Sequence, residues 1–91
     1  MTYDIIFAPD AEQGLAKLYK SEPKAYQKAL KLIQELHEHP RTGTGKPEPL
    51  SGNRVGEWSR RITNKHRLIY EIHDTKVLVL VLSTYGHYGD K

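Results

Sequence analysis

The chain has 91 residues, a formal net charge of +3 and no cysteine, which excludes disulfides and thiolate metal sites. This length suits one small domain that buries about two-thirds of its unfolded surface, so we expect a single domain over residues 1–91. The apolar runs are too short to cross a bilayer and the first residues do not resemble a signal peptide. The sequence therefore predicts a cytoplasmic protein with no membrane partner.

The first part of the sequence predicts a strand followed by two helices. Thr2 to Phe7 is short and rich in β-branched and aromatic residues, as in a β-strand. We expect Asp10 to cap a first helix and Ser21 to cap a second helix that ends before Pro40. Both helices carry an apolar stripe at helical spacing, which predicts that both pack on a sheet.

An irregular loop over residues 40–56 separates the helices from three predicted strands. Loops of this length are often functional, and this one is rich in glycine and proline. The predicted strands are Glu57 to Ile62, Arg67 to His73, and Val77 to Leu82, the last as an apolar run buried on both faces after a tight turn at Asp74-Thr75. The order β-α-α-loop-β-β-β predicts an α+β domain, with a mainly antiparallel, twisted sheet covered on one face by the two helices.

Alternation along the first two of these strands predicts which side chains share a face. If the apolar residues face the helices, Arg61 and Arg67 lie together on the open face. This requires a turn with an odd number of residues, such as Thr63-Asn64-Lys65 with Asn64 in a left-handed conformation. Arg60 would then face the helices, although it could replace Arg61 if the register shifted.

The candidate chemistry is cleavage of an RNA phosphodiester. Glu48 lies between Pro47 and Pro49, whose rings restrict the backbone around its carboxylate, and it could act as a general base. The guanidinium groups of Arg61 and Arg67 could hold phosphate oxygens and stabilise the charge of a phosphorane. This reaction requires no metal and no other cofactor.

The end of the chain supplies a candidate acid and an aromatic contact. His87 is the natural group to protonate the leaving oxygen near neutral pH, and Tyr88 could stack on a base or orient the phosphate. We also place Lys46, in the same loop as the candidate base, among the substrate-binding residues.

Four segments together resemble the YoeB/Txe toxins, which are ribosome-dependent messenger-RNA interferases of the RelE superfamily. These segments are G-K-P-E-P-L at residues 45–50, W-S-R-R-I-T at 58–63, H-R-L-I-Y at 66–70 and the terminal H-Y at 87–88. The resemblance implies the RelE fold and a toxin that inhibits translation by cleaving mRNA. It also implies these roles: general base for Glu48, transition-state stabiliser for Arg67, phosphate contact for Arg61, and catalytic residues for His87 and Tyr88.

The resemblance implies partners as well. It predicts a cognate antitoxin of the YefM/Axe kind whose disordered tail folds on the toxin, together with the ribosome and mRNA, and it allows a homodimer. Two features depart from the family pattern. Ser51 stands where members often have lysine, and three residues follow Tyr88, so that Tyr85 is a rival for its role.

Two other functions remain open on the sequence. A ParE-like toxin that binds gyrase without cleaving RNA could use the same scaffold. A plain RNA- or ribosome-binding module would also explain the basic hairpin, since Lys and Arg bind phosphates without any catalysis.

Overall fold

The computed structural model describes residues 2–86, so the predicted roles of His87 and Tyr88 lie outside the described residues. The elements in chain order are β1 (Asp4–Phe7), α1 (Pro9–Ser21), α2 (Pro23–Leu36), β2 (Glu48–Pro49), a 3₁₀ turn (Gly52–Arg54), β3 (Glu57–Arg61), β4 (Arg67–His73) and β5 (Leu78–Ser83). Neither of these helices is both long and apolar enough to cross a membrane, as judged over the described residues.

The strands form one sheet with the order β1-β5-β4-β3-β2. β1 runs parallel to β5, and every other neighbouring pair is antiparallel, which confirms the prediction of a mainly antiparallel sheet. β2 was not predicted and lies inside the segment expected to be a loop. It has only two residues, one of them proline, so it is too short to show an alternating pattern.

Both helices pack on the same face of the sheet and form one apolar core with it, which confirms the predicted α+β architecture. Its fully buried side chains include Leu18, Leu32, Leu36, Leu68, Tyr70, Val79 and Val81. Burying a side chain of this size stabilises the fold by about 1.5–3 kcal/mol relative to leaving it exposed.

The strand β5, which lies between β1 and β4, is covered on one face only. Val79 and Val81 are fully buried, whereas Leu78 and Leu80 on the other face are only half-buried. The prediction that this strand is buried on both faces was therefore wrong, because the helices cover a single side of the sheet. The preceding turn is also longer than predicted, running over Asp74–Val77 and ending with Val77 at a φ of 53°.

The helix starts differ from the prediction. The residue that caps α1 is Ala8, with no side-chain bond, and Asp10 lies within the first turn. Ser21 ends α1 instead of capping α2, and its hydroxyl donates to the backbone oxygen of Lys17 at 2.8 Å. A proline opens each helix, since its missing N–H would have no partner in the first turn anyway.

The turn between β3 and β4 has the predicted odd length. Arg61 pairs with Arg67, and the N–H of Ile62 donates to the oxygen of His66 at 3.1 Å across three turn residues. The hydroxyl of Thr63 accepts from the N–H groups of Lys65 and His66 at 3.1 and 3.2 Å. Because this hydroxyl stabilises the turn, Asn64 does not take the left-handed conformation that we expected.

Candidate active site

The short strand β2 places Glu48 on the open face of the sheet. Glu48 pairs with Ser59, which lies two residues before Arg61 on β3, and Arg61 pairs with Arg67 on β4. Paired residues share a face and so do residues two apart on a strand, so these four side chains point to the same side. The structure thus confirms that Arg61 and Arg67 lie together on the face away from the helices.

Gly45 and Lys46 direct the chain into β2. Gly45 has a φ of 86°, its oxygen accepts from the N–H of Arg61 at 2.7 Å, and a Cβ here would lie 3.0 Å from the oxygen of Arg61. Glycine is therefore required at this position. Lys46 follows with a φ of 54°, a conformation that costs a residue with a side chain about 1–3 kcal/mol. This cost is typical of functional loops held by their surroundings.

A small pocket on the open face is lined by Gly45, Lys46, Glu48, Ser59, Arg61 and Arg67. Its volume is about 90 Å³, whereas pockets for whole small molecules occupy about 300–1,000 Å³. The pocket therefore suits a single anionic group, such as a phosphate of a longer chain. It brings together four predicted site residues, while Ser51 is exposed and does not line it.

The pocket holds an excess of positive charge. Within residues 2–86, Lys46, Arg61 and Arg67 form no ion pair with a carboxylate. By contrast, the arginines that do form one include Arg41, Arg54 and Arg60. An anion entering the pocket would meet cations whose charge is not already neutralised.

Arg67 is held in place by the turn that precedes it. Its Nη1 donates to the oxygen of Thr63 at 2.6 Å, with longer contacts to the oxygens of Asn64 and His66. Over the described part of the chain, its Nε and Nη2 groups make no hydrogen bond and can serve an anion. Among the described residues, the guanidinium is thus held through Nη1 alone.

Arg60, next to Arg61 in the sequence, lies on the opposite face and is fully buried. Its guanidinium donates to Glu35 at 2.9 Å and to the hydroxyl of Tyr70 at 3.1 Å. It also donates to three backbone oxygens of the loop before the pocket, those of His39, Thr42 and Thr44. Arg60 therefore ties this loop to the core and is no rival for the role of Arg61.

Glu35 completes this buried cluster. Burial alone would raise the pKa of its carboxyl, but the hydrogen bond from the N–H of Thr44 and the charge of Arg60 lower that pKa below its ordinary value. The carboxylate therefore stays ionised and balances the buried guanidinium. Sequence reasoning missed this structural pair, although Glu35 on α2 and the inward parity of Arg60 were the two signals that could have found it.

Tyr85 lies on the helix side of the molecule, away from the pocket. Its ring packs against His66 with 4.5 Å between centroids, and the Nζ of Lys17 lies 5.1 Å from the ring centre. It does not line the pocket. Gly86, the last described residue, accepts a hydrogen bond from the N–H of Arg67 at 2.9 Å, so the chain leaves the described part next to Arg67.

The fold and this charged pocket define a small α+β domain suited to binding an anion, and comparison with known proteins gives the family. Residues 7–88 match the sequence profile of the family described as YoeB-like toxin of bacterial type II toxin-antitoxin system. The chain belongs to this family, and it is the toxin component of a toxin–antitoxin system.

Individual relatives agree with this assignment. A Toxin YoeB of Mycobacterium bovis is 40% identical over 74 residues, which cover 81% of this chain and 87% of that protein. The YoeB dimer from Staphylococcus aureus has a TM-score of 0.82 at 29% identity and covers 97% of this chain and 100% of that one. A YoeB–YefM complex from the same organism has a TM-score of 0.80 at 30% identity, with the same coverage. The family resemblance and the fold predicted from the sequence are thus confirmed.

Proposed function

We propose that this toxin is a metal-independent endoribonuclease that cleaves mRNA on the ribosome and thereby inhibits translation. The observation that supports this most is the convergence of Glu48, Arg61 and Arg67 on one phosphate-sized pocket. A base beside two cations that have no carboxylate partner among residues 2–86 is what attack by a 2′-hydroxyl on its neighbouring phosphate requires. The family match does not favour a non-nucleolytic toxin on the same scaffold.

In the proposed reaction, Glu48 takes the proton of the 2′-hydroxyl as this oxygen attacks the phosphorus. The bond from O2′ to phosphorus forms, and the bond from phosphorus to O5′ breaks. The leaving O5′ receives a proton from His87, and Tyr88 orients the phosphate. The products are a 2′,3′-cyclic phosphate on one fragment and a 5′-hydroxyl on the other, so protons and charges balance without a metal.

The three cations of the pocket have different roles in the proposed reaction. Arg67 stabilises the charge that develops on the phosphorane, since its contact with the oxygen of Thr63 fixes the guanidinium before the substrate arrives. Such a preoriented donor is worth about 10²–10³-fold in rate. Arg61 and Lys46 hold the non-reacting phosphate oxygens at the rim of the pocket. Both side chains are exposed, as a contact with a large substrate requires.

The last described residues support the role given to the terminal pair. The backbone oxygen of Gly86 accepts a hydrogen bond from the N–H of Arg67, and His87 is the next residue along the chain. Tyr85 is occupied against His66 and Lys17 on the helix side, which favours Tyr88 for the role of the family tyrosine.

The partners follow from the same proposal. The ribosome, in the cytoplasm, presents and orients the mRNA, because a single domain of this size contacts little of an unstructured strand. By analogy with the YoeB–YefM complex and the YoeB dimer of Staphylococcus aureus, the partners include a YefM-like antitoxin and a second copy of the chain. Because the pocket is positively charged, we expect an acidic tail of the antitoxin to cover it. Antitoxin and mRNA should therefore compete for the toxin.

The test is primer extension on a defined mRNA held by stalled ribosomes, with wild type, Glu48→Gln and His87→Ala, each with and without EDTA. We expect ribosome-dependent cleavage by wild type that EDTA does not change. Loss of the base or acid should slow cleavage about 10²–10⁴-fold. Glu38→Gln, at an exposed carboxylate outside the pocket, is the matched control and should cleave like wild type.

Each proposed feature can fail separately. Equal cleavage by Glu48→Gln would remove Glu48 from the role of base, and inhibition by EDTA would remove the claim of metal independence. A folded wild type that cuts no mRNA on ribosomes would overturn the endoribonuclease itself.

A further inference from the structure

His66 is a buried polar residue to which the proposed reaction gives no role. Its side chain is 4% exposed, and its Nε2 lies 2.7 Å from a carboxylate oxygen of Glu22 between the two helices. Its Nδ1 lies 2.9 Å from the backbone nitrogen of Gly86. One imidazole thus connects the helical hairpin, the start of β4 and the last described residue of the chain.

The partners of the ring fix where its proton lies. The backbone N–H of Gly86 can only donate, so Nδ1 must accept and carry no proton. The proton of the neutral ring is then on Nε2, where it is donated to Glu22. This hydrogen bond lowers the pKa of Glu22, so the carboxylate stays ionised and favours the same tautomer. Gly86 therefore donates to His66, and His66 in turn donates to Glu22.

The peptide groups of Gly86 are held on both sides. Its N–H is bound by the ring of His66, and its oxygen accepts from the N–H of Arg67 at 2.9 Å. Its φ is 84°, a region that favours glycine, so the backbone turns at this point. The position of Gly86 is therefore fixed beside Arg67 of the pocket, and His87 is the next residue in the sequence.

We propose that His66 is a positioning residue that acts through Gly86 to set where the terminal segment with His87 and Tyr88 begins. The inference rests on the proposed function, because it concerns the segment to which that function assigns the proton transfer. A buried imidazole needs a partner for each nitrogen, and here the partner of Nδ1 is the peptide that directly precedes the terminal segment. Displacing a catalytic group by 1 Å can cost about 10²-fold in rate, so anchoring of this kind has a measurable consequence.

Two substitutions separate the contacts of the ring. In His66→Asn, the side-chain oxygen lies near the place of Nδ1 and can still accept from Gly86, while the contact with Glu22 is lost. In His66→Gln, the longer amide reaches towards Glu22 and cannot serve Gly86. We expect comparable losses of stability in urea, but single-turnover cleavage on ribosomes about 10-fold slower for His66→Gln than for His66→Asn, with ribosome affinity unchanged.

A double variant tests whether His66 acts through the terminal histidine. In a His87→Ala background, His66→Gln should slow the residual cleavage little further, because two residues that act as a unit are not additive. A second, activity-independent measurement uses ¹⁵N NMR of the wild type. It should show a proton on Nε2 of His66 and a Gly86 amide protected from exchange, with that protection lost in His66→Gln.

Three results would overturn the proposal. These are equal activity losses in the Asn and Gln variants, full additivity with His87→Ala, and an unprotected Gly86 amide in the wild type. A wild type that cleaves nothing would overturn the proposed function and with it the catalytic purpose of the anchor. The NMR result would then still show whether His66 holds Gly86, so the two failures are distinguishable.

Discussion

Arg60 and Arg61 are neighbours in the sequence, yet they lie on opposite faces of β3 in contrasting surroundings. The guanidinium of Arg60 is buried and donates to a carboxylate, a hydroxyl and three backbone oxygens. Arg61 is exposed beside Arg67, and over residues 2–86 neither has a carboxylate partner. The same side chain is therefore a structural element on one face and an available charge on the other.

This difference shows how to separate structural from functional arginines. A guanidinium whose donors are all used inside the fold cannot bind an external anion without breaking contacts that hold the loop. A guanidinium that is fixed at one end and unpaired at the other can do so at little cost. Arg67 meets this second description through its single short contact with Thr63.

The largest expected effect comes from the buried face. Arg60→Met should lower the free energy of unfolding by about 3–5 kcal/mol, because it leaves the partly buried carboxylate of Glu35 without its cation and three loop oxygens without their donor. Urea unfolding followed by circular dichroism measures this. Arg61→Met is the matched control on the open face and should change the same quantity by less than about 0.5 kcal/mol. Equal losses of unfolding free energy in both variants would show that the two arginines do not differ in their contribution to stability.

The next effect concerns the open face. Arg67→Gln should reduce single-turnover cleavage on ribosomes about 10²–10³-fold, since it removes a fixed cation from the developing charge. Its free energy of unfolding should fall by only about 1 kcal/mol, for the lost contact with Thr63. Arg41→Gln removes an arginine paired with Asp74 outside the pocket and should cleave normally. If it slowed cleavage as much as Arg67→Gln, total charge and not its placement would be responsible.

The smallest effect is a dependence of stability on pH. The pKa of Glu35 is lowered in the folded state. The ionised carboxylate therefore stabilises the fold at pH values above the ordinary carboxyl pKa, and this stabilisation is lost as the pH falls through the pKa of the folded state. Wild type should therefore be more stable than Glu35→Gln at pH 7, and the gap should narrow below about pH 4.3. Urea unfolding from neutral to acidic pH measures the gap. A gap that stays constant would mean that the charge of Glu35 does not contribute.

The parts of the fold that follow from alternation could be predicted. The faces of β3 and β4 are decided by side chains such as Leu68 and Tyr70, whose burial orients every neighbour on the same strand. Once that face is known, an odd number of residues in the turn is enough to predict that Arg61 and Arg67 lie side by side. The role of Glu48 was predicted from its two prolines and from the family resemblance and stays a prediction, while the structure shows only that Glu48 lines the pocket.

Other features depend on contacts that no local pattern encodes. β2 exists because backbone groups of Glu48 and Pro49 meet β3, and two residues carry no periodicity of their own. The partners of Arg60 are backbone oxygens of an irregular loop, whose positions are known only after the loop has folded. The capping role expected of Ser21 failed because α1 extends through Ser21, so Glu22 takes the cap position of α2.

The parallel pairing of β1 with β5 affects how the protein folds during its synthesis. β1 is made among the first residues, and its only partner in the described sheet is the last strand, which also separates it from β4. Until β5 has left the ribosome that makes it, β1 has no strand to join and the α1 side of the core lacks Val79 and Val81. Contacts between distant parts of a chain form late and slowly. The sheet therefore closes only after β5 has been made and has left the ribosome.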